Sequence, residues 1–157
     1  MIELEGIDTV CFCCGSENPY GLKMRFLTDG QKLYSTVTVP DYMRGWNNLV
    51  HGGIISAMLD EAMAWSAIHL LKRFILTKEM TVKFRKPILI ETELRVTGWV
   101  HQHVDERRAI MAAQIEDSEG NVCASAEGEF ALFDAEAFAK MDVVGPEVIA
   151  EVRERQG

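Results

Sequence analysis

From Ile54 to Leu71 nearly every position is Ile, Leu, Met, Ala or Trp, leaving no polar face for solvent. A helix that is apolar all round must be buried, either in a large core or in a membrane. Asp60 and Glu61 fall in the middle of the run, where a charge in lipid costs at least about 2.5 kcal/mol. The run is therefore read as the core helix of a soluble domain, about Gly53 to Arg73, wrapped by the rest of the chain. A chain of 157 residues is long enough to bury roughly two-thirds of its unfolded surface in one domain.

Sixteen basic against 24 acidic residues give a net charge of −8, which argues against a nucleic-acid partner, since that needs a basic face. Met1 to Val10 carries acidic residues and no apolar run, so no secretory leader is expected and the chain is assigned to the cytoplasm. Cys11, Cys13 and Cys14 are crowded while Cys123 is distant, unlike the spacing of a secreted disulfide framework. Cys11-x-x-Cys14 is half of a zinc pattern, but no second pair completes it. His101 and His103 are read as solvent-facing strand residues. The expectation is reduced structural thiols and no metal.

In chain order, Cys11 to Leu22 is turn chemistry, and Leu22 to Leu27 alternates as a half-buried strand. Asp29-Gly30 marks a hairpin, and Lys32 to Val39 returns as a strand stopped by Pro40. After the helix, strands are expected over Thr77 to Arg85, Glu93 to Val104, Arg107 to Glu116 and Val122 to Phe133. A helical tail, broken at Gly145-Pro146, ends in a charged and frayed segment. Two strands, one buried helix and four strand segments on short loops cannot form a parallel βαβ sheet. The order predicts an α+β domain, an antiparallel sheet packed around one long central helix, its core about 11–133 and its tail about 134–157.

The chemistry concentrates at the start of that helix. Gly52-Gly53 leaves backbone N–H groups unpaired at a positive helix end and lets a ligand come close, which suits an oxyanion. His51, just ahead, can donate or orient a hydrogen bond. Asp60 offers a general base or nucleophile, and an unpaired buried carboxylate is costly enough to need a reason. Glu61 is rotated about 100° away and is read as solvated or ion-paired. Gly52 and Asp60 are eight residues apart, about 12 Å along the axis. If both act on one carbonyl, the second must come from another copy of the chain. A two-fold dimer with antiparallel central helices would create two such composite sites.

These residues resemble a family. His51-Gly52-Gly53, a carboxylate nine positions after the histidine, and a strand ending Phe84-Arg85-Lys86-Pro87 resemble the hotdog-fold acyl-CoA thioesterases of the phenylacetate-degradation type. The segment from Cys11-Phe12-Cys13-Cys14-Gly15 to Asn18-Pro19-Tyr20-Gly21-Leu22 is similar to the opening of many bacterial members. The resemblance covers roughly residues 11 to 133. It implies a hotdog fold, dimers often pairing into tetramers, and hydrolysis of a CoA thioester without a metal or a cofactor other than the substrate's own coenzyme A. On that pattern the Gly52 amide polarises the carbonyl, His51 supports the helix mouth, and the partner's copy of Asp60 attacks or activates water.

The chain also departs from that pattern. Related 4-hydroxybenzoyl-CoA enzymes carry Gln or Asn where this chain has Gly45, and a hydroxyl where it has Ala64. Asn18 is preferred as a substitute over Asn47 or Asn48. Thr77 resembles the Ser or Thr that positions water. Substrate contacts are expected from Gly53, Trp46 and Asn48, with Lys83, Arg85 and Lys86 meeting the CoA phosphates. Two other functions compete: a hotdog enoyl-CoA hydratase or dehydratase, and a non-catalytic acyl-CoA-binding module.

Overall fold

The apolar run folds as one uninterrupted helix, α1, Gly52–Leu71, in the computed structural model, which describes residues 1–156. Before it come β1 (Ile2–Glu3), β2 (Leu27–Thr28), β3 (Lys32–Thr38) and a 3₁₀ turn, Asp41–Met43. After it come β4 (Phe74–Phe84), β5 (Glu93–Asp105), β6 (Arg108–Glu116) and β7 (Val122–Phe133), then α2 (Ala135–Lys140) and α3 (Pro146–Gln156). The seven strands form one sheet in the order β1-β2-β3-β5-β6-β7-β4, antiparallel at every pairing. Helix α1 lies against β3 to β7, as expected for an α+β domain built around a central helix.

Small residues set how closely helix and sheet approach. The cross-strand row Leu33, Gly98, Ala113, Ala126 and Val82 runs beneath α1. A Cβ at Gly98 would lie 2.4 Å from the Ala62 carbonyl oxygen and 2.6 Å from Ser66 Oγ, so only glycine fits. Around this row Met58, Leu59, Ala62 and Met63 of α1 are completely buried with Leu33, Val96, Met111 and Phe130. The helix ends at Leu71, two residues before the expected Arg73, because Lys72 takes a left-handed backbone, φ 57°, and turns the chain into β4. That strand begins at Phe74 rather than Thr77 and forms an edge of the sheet, with β7 as its neighbour.

Two expectations are corrected. Leu22, Met24 and Phe26 are buried as their alternation requires, yet only Leu27–Thr28 joins the sheet. The amides of Leu22 and Met24 bond instead to the carbonyls of Phe12 and Cys13, so the cysteine loop takes the place of a neighbouring strand. The charged tail is anchored rather than frayed. Arg155 donates to the carbonyls of Glu5 and Gly6, 2.6 Å each, and Val152 packs with Phe74 and Phe138 in a second apolar cluster.

Candidate active site

The turn before α1 is built to present the helix mouth. Gly45 N–H bonds the Leu49 carbonyl at 2.9 Å, and His51 N–H bonds that of Met43 at 3.2 Å. A Cβ on Gly45 would sit 3.1 Å from His51 Cα, so a side chain there would press on the turn that carries His51. His51 caps the helix through its side chain: Nδ1 accepts the Gly53 N–H at 2.8 Å. An accepting Nδ1 carries no proton, which places the neutral ring's hydrogen on Nε2. With Gly53 engaged by the imidazole, the Gly52 amide makes no hydrogen bond among the described residues. That unpaired N–H at a positive helix end is where an anionic oxygen is favoured.

The mouth opens into a cleft of about 810 Å³ that gathers Trp46, His51, Gly52 and Arg85 with Arg44, Phe84 and Lys86. Trp46 stands 83% exposed. Arg85 Nε donates to Ser125 Oγ at 3.3 Å, and Lys86 Nζ donates to Asp117 at 2.8 Å. That pair holds the Asp117 carboxyl well below the ordinary carboxylate range and raises the lysine. Phe84 and Arg44 were not among the sequence candidates. Alternation assigns Phe84 to the core face of β4, but the sheet ends there and the ring stands 58% exposed over Gly52.

Asp60 projects from the middle of α1, half-buried. Thr77 Oγ1 of β4 donates to its Oδ1 at 2.7 Å. Burial raises the Asp60 pKa, and the threonine bond opposes the rise, so desolvation prevails over hydrogen bonding at this carboxyl. A β-bulge follows directly, between Thr77 and Glu79, which re-aims the strand at the hydroxyl.

The remaining candidates are dispersed. Asn18 Nδ2 donates to the Val10 carbonyl and its Oδ1 accepts from Tyr20 N–H, both at 3.0 Å, so its polar atoms tie its own loop. Asn48 is exposed and gives its carbonyl to Ile90 N–H at 2.9 Å. Gly53 lines an apolar depression of about 520 Å³ with Phe12, Tyr20, Tyr42 and Ile54. Lys83 and Arg85 line a smaller hollow, about 280 Å³, beside Thr81, Trp99 and His101. His101 faces Glu127 at 3.5 Å.

Glu61 corrects its sequence reading. It is neither solvated nor paired with a cation: its Oε1 accepts from Trp65 Nε1 at 2.9 Å and from Cys11 Sγ at 3.8 Å. Burial pushes its pKa up to about 7, with the neighbouring Cys11 adding to the rise. The N-terminal loop, which has no regular structure from which to read its path, crosses α1 here and covers it. All four cysteines are free thiols.

The family model described as "Thioesterase superfamily" matches residues 47–124, from the turn before α1 into β7. A crystal structure described as a thioesterase superfamily protein is 28% identical, with a TM-score of 0.72, over 81% of this chain and 62% of that one. This chain thus spans under two-thirds of that protein's length. The E. coli PaaI protein from the phenylacetic acid degradation operon superposes with a TM-score of 0.64 at 19% identity, over 71% of this chain and 80% of that one. A Streptococcus mutans protein solved with acetyl CoA superposes with a TM-score of 0.65 at 14% identity, over 71% and 89%. At such identities the last two show a shared fold. No curated protein matches the chain.

Proposed function

We propose that this hotdog-fold member of the thioesterase superfamily hydrolyses acyl-CoA thioesters at a site shared between two copies of the chain. The observation that carries the reading is the Asp60 carboxyl on the central helix, partly desolvated and held by Thr77. A buried carboxylate without a cation is costly, and here it is supported by a hydroxyl that engages one of its two oxygens. The other is available to take a proton from water or to attack the acyl carbon directly. The unpaired Gly52 amide supplies the complementary part, a donor for the negative charge that grows on the carbonyl oxygen. His51 keeps that amide in place by capping Gly53. In the overall reaction water adds to the acyl carbon, the C–S bond breaks, and the CoA sulfur leaves as thiolate and is protonated.

The eight residues between Gly52 and Asp60, now all within α1, put the two groups about 12 Å apart along one helix. They serve one carbonyl only if a second copy supplies one of them. Two features favour such a copy. The half-exposed positions Ser56, Asp60, Ala64 and Ile68 recur every four residues along α1, and β4 has a free edge beside them. In the proposed complex the CoA phosphates lie against Arg44, Arg85 and Lys86, with Lys86 exchanging its Asp117 bond for a phosphate. Acetyl CoA bound to the Streptococcus mutans protein supports a CoA ester as the ligand class. No metal or redox cofactor acts on the thioester carbon in this proposal.

The test is thiol release over a panel of acyl-CoA chain lengths and aromatic acyl groups, run on wild type and Asp60→Asn. Expected is turnover of at least one ester and a fall of at least about 10²-fold in kcat for the variant, with unchanged circular dichroism. Equal rates would remove Asp60 from the chemistry. Binding of every ester without turnover of any would favour the binding-module reading.

A further inference from the structure

We infer that Cys11, Cys14 and Glu61 form a binding site for one zinc-class divalent cation, clamping the N-terminal loop onto the central helix. The sulfur atoms of both cysteines and a carboxylate oxygen of Glu61 all lie within 4.8 Å of one another, and all three residues are partly buried. Cys11 Sγ is 3.8 Å from Glu61 Oε1. Tetrahedral zinc with its usual bond lengths sets sulfur and oxygen ligands about 3.6 Å apart. The cluster is therefore close to ligand spacing.

The charge balance points the same way. Glu61 has no cationic partner in any ion pair among the described residues. Two thiols and a carboxylate thus crowd one partly buried spot. A cation relieves that crowding, and its binding releases the protons the thiols still hold. Two soft thiolates with one carboxylate select zinc over magnesium or calcium.

The surroundings are preorganised. Gly15 N–H closes the cysteine turn on the Cys11 carbonyl at 2.9 Å, and a Cβ at Gly15 would meet the Cys11 backbone at 2.5 Å. The turn therefore packs too closely to take any side chain at Gly15. The Trp65 indole orients the Glu61 carboxylate, the kind of supporting bond that metal-ligating carboxylates need. Cys13 points elsewhere, donating to the Ala57 carbonyl at 3.7 Å. Cys14 also lines a cavity of about 720 Å³ beneath the N-terminal segment, which gives an ion a path in. Sequence spacing alone missed the site because its third ligand lies fifty residues away on another element.

The test uses the full chain, stripped with a chelator and titrated with Zn²⁺ and separately with Co²⁺. Expected is one ion per chain, a thiolate-to-cobalt charge-transfer band, and a rise in Tm with Zn²⁺. Cys11→Ser and Cys14→Ser should each weaken zinc binding by at least about 100-fold. Glu61→Gln should keep the charge-transfer band with reduced affinity, and Cys123→Ser should bind like wild type. The wild-type stoichiometry and cobalt spectrum require no variant to fold. Sub-stoichiometric zinc in the wild type, affinity indifferent to Cys11→Ser, or a Cys11–Cys14 disulfide in the purified chain would each overturn the site. Asp60-dependent thiol release is a separate measurement that stands or falls without it.

Discussion

Thr77 and Asp60, seventeen residues apart on an edge strand and the central helix, meet through a 2.7 Å hydrogen bond in which the threonine hydroxyl donates to the carboxylate. The bond is the one interaction that opposes the burial-driven rise of the Asp60 pKa. It therefore orients the carboxyl and offsets part of the rise that burial imposes.

Replacing that donor should be visible in the pH profile. In Thr77→Val the carboxyl loses a stabilising bond to its charged form, so its pKa rises and the acidic limb of kcat/KM moves to higher pH. A hydrogen bond to a charged group is worth about 1.5–3 kcal/mol, or roughly 10- to 150-fold in rate. Thr77→Ser should restore both profile and rate. A drop in rate with an unmoved acidic limb would assign Thr77 a packing role only.

Subunit mixing tests the shared site. Asp60→Asn lacks the carboxylate and His51→Ala lacks the cap that frees the Gly52 amide, so each alone should be inactive. Mixed one to one and allowed to exchange, half the dimers are hybrids with one intact site in two, giving about a quarter of wild-type activity. No recovery in a mixture shown to exchange subunits would place both groups in one chain's site.

Glu61 should shape stability against pH in chelated protein. Its folded pKa, about 7, lies above the ordinary value of 4.5. A raised acid binds more protons folded than unfolded, so its contribution is full below about pH 4.5 and lost as pH climbs toward 7. Urea unfolding should show stability falling across that window, and Glu61→Gln should flatten the fall. Parallel curves for the two proteins would contradict the burial argument.

Gly98 should be irreplaceable for packing. The nearest atoms to an added methyl belong to the α1 backbone at Ala62, which cannot move without lifting the helix from the sheet. Gly98→Ala should cost about 1–3 kcal/mol, measured by denaturant midpoint. Gly52→Ala is the contrast: its Cβ would meet only the Phe84 ring, at 3.7 Å, and should leave stability nearly unchanged.

The apolar run from Ile54 to Leu71 and the alternating segments after it determined, without any structure, that one buried helix would sit on an antiparallel sheet. These are local periodicities, and burial enforces them wherever the strands find their partners. The same reading located His51, Gly52 and Asp60, because glycines at a helix start and a charge in an apolar run break local rules. Tertiary structure decided what those residues touch. It brought Thr77 to Asp60, stood Phe84 over the helix mouth, turned Asn18 inward to its own loop, and buried Glu61 under two cysteines read as merely structural. Each of those outcomes depends on where a distant segment crosses α1. Spacing along a chain encodes which face a side chain takes, but not which remote atoms will be waiting there.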